Sequence, residues 1–202
     1  MMITLSFISK GFDEVLCEKV NVIISDSATY QFVQPEDVIG LFKTMDLKIW
    51  GYSAFDIETF DVEQTIYRNM PLVKNASAWA DVNGVLNVQL DQREPIVRVV
   101  TKTNQSYYID KDANILPLSG DFTARVLVAS GDIYLKHTDR KVISVDSAIG
   151  NNPDDFMLDE VFQMAKYISN DKVLKKQIEQ LYVNNNKFEM YPKIGTHSIM
   201  FG

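Results

Sequence analysis

The chain has 202 residues, of which 46% are hydrophobic and 23% are charged, a composition that is ordinary for globular domains and argues against disorder. Its 27 acidic and 20 basic residues give a net charge of −7; no basic cluster interrupts it, so binding to nucleic acid is not expected. The single cysteine, Cys17, excludes an internal disulfide and a cysteine-based metal site. This length allows one or two domains, each with its own core.

The first half of the chain predicts the element order β-α-α-β-β. Residues 20–25 form a β-branched run typical of a strand. Pro35 and the acids after Gln34 favour a helix start there. A second helix is predicted over Thr59–Asn69. The side chains expected to face inward from the two helices are Val38, Leu41, Phe42 and Met45 in the first and Val62, Ile66 and Tyr67 in the second.

A hairpin is predicted to complete this series. Two alternating runs, residues 76–82 and 85–92, flank Asn83-Gly84, and an Asn-Gly pair supplies the two positive φ angles of a type I′ turn. In the second run Leu86, Val88 and Leu90 share one face, which predicts a sheet with one buried face. We therefore expect two helices on one face of a three-stranded sheet.

Pro95 predicts a change of strand partner, because proline cannot donate to a sheet and biases Glu94 away from helix. The fold class predicted is α+β, with one domain over residues 17–93 and a mixed, strand-rich domain over residues 94–202. The strands expected in the second domain are residues 96–101, 106–110, 114–118, 124–129, 177–183, 187–192 and 196–201. Between them, Asn152-Pro153 predicts the start of one long helix, and a shorter one is expected over residues 171–176.

Two further local features belong to this domain. The long helix should turn one apolar stripe to the core, formed by Leu158, Val161, Phe162, Ala165 and Ile168. The run Asn184-Asn185-Asn186 predicts a turn, since asparagine tolerates left-handed φ angles.

The ordered segments QREPIVRV, YYIDKDANILPLS, TARVLVASG and QIEQLYVN resemble the FtsQ/DivIB cell-division family in the form found in the Bacteroidetes. The resemblance implies a POTRA-like domain over residues 17–93 and an FtsQ-type β domain over residues 94–202. Relatives usually carry glycine where this chain has Asn114, which we expect to take the glycine's place in the turn. Family β domains also continue beyond the strand at residues 196–201, so the resemblance implies that this chain lacks C-terminal elements.

The first nine residues are mostly apolar and carry no charge, but a membrane span needs about 20 residues. Residues 1–16 are either an apolar tail or the end of a membrane anchor with its juxtamembrane link. The resemblance favours the anchor, and with it a single-pass protein of the inner membrane whose bulk is periplasmic.

No catalytic or metal-binding pattern is present. His137 and His197 lack metal-ligand spacing, and phosphate-loop, nucleophile-elbow and zinc-protease motifs are missing. Asp110 and Asp112 could be calcium ligands, but the rest of such a loop is lacking and a tight turn is the better interpretation. Trp50 and Trp79 could anchor an interface, although packing is the commoner role of tryptophan. No catalytic residue, metal or cofactor is therefore predicted.

The resemblance implies a non-enzymatic divisome scaffold that binds FtsB/FtsL-type partners and helps to regulate septal peptidoglycan synthesis. Other divisome proteins would bind the POTRA-like domain. Family members bind FtsB by adding its strand to a sheet edge near the C-terminus, so the candidate partner-binding residues are Thr196, Ser198, Ile199, Met200 and Phe201. Two alternatives stay open: a POTRA-bearing module of an outer-membrane assembly or secretion system, and an enzyme without a recognisable motif. The strand at residues 196–201 could also be an interior strand.

Overall fold

The computed structural model describes residues 15–25, 29–135, 141–148, 156–195 and 197–201. The chain divides into two compact units, Met1–Arg93 and Glu94–Gly202. Four features of the sequence analysis lie outside the described residues: the apolar N-terminus, His137, the helix start at Asn152-Pro153, and Thr196.

The first unit contains a three-stranded sheet and two helices. Its elements are β1 (Lys19–Ser25), α1 (Pro35–Thr44), α2 (Thr59–Asn69), β2 (Val73–Ala80) and β3 (Val85–Gln92). The central strand is β3, which runs parallel to β1 and antiparallel to β2. Helix α1 packs against β1, and α2 against β2. The predicted order β-α-α-β-β is confirmed, and Leu86, Val88 and Leu90 of β3 are fully buried.

The hairpin turn between β2 and β3 differs from the prediction. Only Gly84 has a positive φ, of 77°, whereas a type I′ turn would require one at Asn83 as well. The N–H of Gly84 donates to the carbonyl of Asp81 over 3.1 Å, and the Asp81 N–H donates to the carbonyl of Val85 over 3.0 Å. This is a type I turn followed by a left-handed glycine. The side chain of Asp81 decides the turn type, since its Oδ1 accepts from the N–H groups of Asn83 and Val85.

Three side chains of this unit are more exposed than the sequence predicted. Met45 follows the last residue of α1 and is 46% exposed. Tyr67 is 40% exposed, because its hydroxyl reaches the backbone of β2 instead of entering the core. Trp79 is 42% exposed, since the pleat of β2 directs it away from the helix-covered face.

The second unit is built on an eight-stranded sheet with the order β11-β10-β9-β7-β4-β5-β6-β8. Its elements are β4 (Pro95–Val100), β5 (Ser106–Asp110), β6 (Asn114–Leu116), β7 (Leu127–Gly131), β8 (Ile143–Ser144), α3 (Val145–Ala148), α4 (Phe156–Asn170), α5 (Leu174–Gln177), β9 (Ile178–Asn184), β10 (Lys187–Pro192) and β11 (Ile199–Phe201). β8 and α3 were not predicted, because elements of two and four residues carry no measurable periodicity.

Helix α4 supplies the core of this sheet. Its predicted stripe is buried and packs in one cluster with the central parallel strands β4, β7 and β9. The members of the stripe are Leu158, Val161, Phe162, Ala165 and Ile168.

The turn after β5 is organised by Asp110, which is fully buried. Its Oδ1 accepts from the N–H groups of Asp112 and Asn114, at 3.0 and 2.8 Å, and from the Asn114 side-chain amide. The left-handed residue is Ala113, with a φ of 61°, and not Asn114. The expectation that Asn114 takes a glycine's place is therefore wrong; it begins β6 and closes the turn through its side chain.

Candidate partner-binding edge of the second sheet

β11 is an edge strand of the eight-stranded sheet. It pairs antiparallel with β10, and Phe201, Met200 and Ile199 lie opposite Phe188, Glu189 and Met190. Among the described residues, no strand pairs with the other side of β11. An unpaired strand side presents N–H and C=O groups that can pair with another chain.

The two faces of β11 differ in their surroundings. Ile199 lies opposite Met190, whose side chain belongs to the core, but Ile199 itself is 49% exposed because no strand of the described segments lies beyond it. Met200 lies on the opposite face and is 72% exposed. Phe201 takes the register position opposite buried Phe188. The edge therefore offers an apolar side chain on each face.

Of the other candidate residues, Ser198 is exposed and lies before β11, next to exposed His197. Thr196 lies outside the described residues. The structure thus places three of the five candidates, Ile199, Met200 and Phe201, in one strand.

The solvent face beside β11 carries three residues that the sequence analysis did not single out. Tyr182 of β9 lies opposite Glu189 of β10 and is 38% exposed. The hydroxyl of Tyr191 donates to Oε2 of Glu189 over 2.9 Å, and this hydrogen bond raises the pKa of Tyr191. Over residues 181–184 of β9 buried and exposed residues alternate, so the position of Tyr182 next to buried Leu181 could have predicted that Tyr182 faces solvent. Together with Met200, these three side chains form an aromatic platform around one carboxylate.

The β9–β10 turn holds this platform in register. Asn185 and Asn186 have φ angles of 48° and 60°, the pair of left-handed residues that defines a type I′ turn. The N–H of Asn185 donates to Oδ2 of Asp132 over 3.2 Å. Lys102 binds the other oxygen of Asp132 at 2.7 Å. This ion pair lowers the pKa of the Asp132 carboxyl and raises the pKa of Lys102.

Elsewhere in the part of the chain that the structure describes, no group of three or more His, Cys, Asp or Glu side chains could hold a metal ion. None of the helices described has the length and apolar character needed to cross a bilayer. The candidate site in the described residues is therefore the edge strand β11, which can pair through its backbone and contact another chain through its side chains.

A small β-α-α-β-β unit followed by a larger sheet, whose edge strand β11 is unpaired on one side within the described residues, defines a two-domain α+β protein with a POTRA-like first unit. A family model for a POTRA-like domain matches residues 15–91. The family model described as FtsQ/DivIB, C-terminal related, matches residues 94–202, which is more than half of the chain. The chain therefore belongs to the FtsQ/DivIB C-terminal-related family, whose membership indicates a cell-division scaffold. The comparison with curated proteins returns no match.

Proposed function

We propose that this chain is a non-enzymatic scaffold of the divisome, and that an extended segment of an FtsB/FtsL-type partner adds to the sheet along β11. The observation that carries the proposal is the side of β11 that no strand in the described part of the chain pairs with, with Ile199 and Met200 exposed on its two faces. Strand addition derives affinity from main-chain hydrogen bonds and specificity from alternate side chains. Membership of the FtsQ/DivIB C-terminal-related family supports a role in cell division.

The two faces of the edge define the partner segment by its chemistry. Side chains on the Ile199 face would continue the apolar layer of Phe188 and Met190, so apolar residues suit them. On the other face, the partner would meet Met200; Glu189 of β10 lies one strand further in and Tyr182 of β9 two strands further in, so a long basic side chain of the partner suits the Glu189 carboxylate. Because β11 has only three residues, main-chain pairing is short and these side-chain contacts must contribute to affinity.

The remaining parts of the function rest on the family alone. We propose an N-terminal membrane anchor in the inner membrane, with the bulk of the chain in the periplasm. The POTRA-like unit would bind other divisome proteins, and the assembled complex would help to regulate septal peptidoglycan synthesis. A module of an outer-membrane assembly or secretion system would also carry a POTRA-like unit, but the match over residues 94–202 favours the division scaffold.

The proposal can be tested by calorimetry of the chain with the periplasmic segment of the FtsB/FtsL-type protein from the same organism. Met200→Lys places a lysine opposite Glu189, which keeps β11 paired with β10 while charging the open edge. We expect this variant to bind about 10-fold more weakly, in the range of a peripheral interface contact. Val173→Lys is the matched control, because Val173 is 60% exposed in a loop before α5. Equal affinities of the wild type and Met200→Lys would place the binding surface elsewhere, and no binding by the wild type would refute the partner.

A further inference from the structure

The outer edge of β2 in the POTRA-like unit is closed by two side chains of α2. The Tyr67 hydroxyl accepts from the N–H of Ala76 over 2.9 Å and donates to the Ala76 carbonyl over 3.3 Å. Oε1 of Glu63 accepts from the N–H of Ala78 over 2.8 Å. Ala76 and Ala78 are alternate residues of β2 whose backbone N–H and C=O groups point away from β3, and side chains of α2 hydrogen-bond to both.

The spacing of the helix matches the spacing of the strand. Tyr67 and Glu63 are one helical turn apart, which is about 6 Å along α2. Ala76 and Ala78 are two strand residues apart, which is about 7 Å. Alanine at both positions leaves room for α2 to lie close to β2, so that a tyrosine and a glutamate can reach the strand's backbone.

These contacts occupy the groups that a further strand would need. In an antiparallel pair, a residue that exchanges hydrogen bonds uses its N–H and its C=O on the same side. β2 already pairs with β3 on its inner side. A strand adding to the outer side would have to displace both Tyr67 and Glu63.

We propose that Tyr67 and Glu63 form an edge latch that excludes other strands from the outer side of β2, and that release of this latch lets β2 pair with β2 of a second copy of the chain. An unprotected edge of eight residues is a template for pairing with another chain. Unlike the partner site at β11, this edge lies in the first unit, so the inference goes beyond the proposed function.

The sequence of β2 suits two-fold antiparallel pairing with itself. If the axis passes through Ala78, Ala76 lies opposite Ala80 of the second copy, and both are outward-pointing positions. Trp79, which is 42% exposed, then lies opposite Ser77 of the second copy and loses solvent contact. Lys74 meets Val82 in this register, so no like charges oppose each other.

The test uses the full chain and the double variant Tyr67→Phe/Glu63→Ala. We expect its Ala76 and Ala78 amides to exchange with solvent about 3- to 10-fold faster than in the wild type at low concentration, the range for one lost hydrogen bond. At higher concentration, sedimentation should show a dimer, while the wild type stays monomeric. Glu63→Gln keeps an acceptor oxygen and should behave as the wild type. The matched control is Tyr167→Phe/Glu160→Ala, a tyrosine and a glutamate exposed on α4.

Adding Trp79→Lys to the double variant locates the interface. Because the two-fold register places Trp79 next to the axis, opposite Ser77 of the second copy, this third change should restore the monomer. Three results would each overturn the inference. The wild type dimerises as readily as the double variant, or the dimer survives Trp79→Lys, or the double variant stays monomeric up to about 1 mM, a concentration at which even weak pairing is populated. If the double variant does not fold, Tyr67→Phe alone tests half of the latch: the Ala76 amide should exchange faster, while the Ala78 amide, still bound by Glu63, should not.

Discussion

Gly131 at the end of β7 lies against Val183 of β9, and a Cβ atom added to the glycine would lie 2.9 Å from the backbone nitrogen of Val183 and closer still to its carbonyl oxygen. The φ of Gly131 is 107°, a conformation that side chains rarely adopt. The parallel pairing of β7 with β9 continues to this residue pair. A glycine is therefore required where the strand that supports β10 and the candidate edge joins the central sheet.

Gly131→Ala should destabilise the second unit by more than about 2 kcal/mol, because backbone strain and a clash with backbone atoms add together. Urea denaturation followed by circular dichroism measures this loss. Gly120→Ala is the control: Gly120 has no atom within 4 Å of an added Cβ, and this change should stay within about 0.5 kcal/mol of the wild type or stabilise slightly. Equal effects of the two changes would show that the β7–β9 contact relaxes without cost.

Gln92→Leu should destabilise the first unit by about 2–3 kcal/mol, the cost of leaving buried polar groups without partners. Gln92 is buried, its Oε1 accepts from the N–H groups of Phe32 and Val33, and its Nε2 donates to the carbonyl of Tyr30. Leucine has a similar size but satisfies none of these groups. Thermal unfolding measures the effect, and Gln89→Leu, at an exposed position of the same strand, should change stability by less than about 0.5 kcal/mol. A neutral Gln92→Leu would mean that the segment around Tyr30 rearranges to satisfy its own backbone.

The Lys102–Asp132 pair gives stability that depends on pH in a defined direction. Lys102 and the N–H of Asn185 lower the pKa of the Asp132 carboxyl below its unfolded value, which is about 3.9. Its contribution is therefore present above that unfolded pKa and is lost as the pH falls through the folded one. The pKa of Lys102 is raised in the folded state, which affects stability at alkaline pH. The stability that Lys102 contributes is present below its unfolded pKa of about 10.4 and is lost as the pH rises through the folded pKa.

NMR titration of the Asp132 carboxyl checks the acid side. Lys102→Met should move the titration midpoint of Asp132 upward, toward its ordinary value, although the hydrogen bond from Asn185 remains. Lys172→Met makes the same change in net charge at an exposed position near the start of β9, whereas Asp132 lies beside the end of β9, so the midpoint should stay unchanged. An unchanged midpoint in Lys102→Met would show that the N–H of Asn185 alone lowers this pKa.

Local pattern alone was enough to predict much of this architecture. The bounds of α2 and the buried stripe of α4 follow from a period of 3.6 residues, and the buried face of β3 follows from a period of two. These patterns predict well because the burial they reflect depends on neighbours a few residues away. The change of strand partner expected at Pro95 likewise needs only the missing N–H of proline.

Turn chemistry was harder to predict, because the residue that opens a turn can decide its type through its side chain. Asn83-Gly84 suggested a type I′ turn, but the carboxylate of Asp81 accepts from two backbone N–H groups and stabilises a type I turn instead. The pair of left-handed residues lies at Asn185-Asn186, within the asparagine run that was predicted only as a turn. Tyr67 shows the same limit: its position suggested the core, and a backbone group of β2 binds its hydroxyl instead.

The sequence by itself determined the type and approximate position of the longer strands and helices, because each segment's periodicity and end residues act over a few positions; the short elements β8 and α3 escaped it. Tertiary structure decided that β4, β7 and β9 lie side by side at the centre of the sheet and that β11 lies at its edge. Strand order depends on which arrangement buries α4's stripe while pairing every central N–H and C=O. That condition joins residues as far apart as Val97 and Leu181, and no short-range pattern in the chain records it.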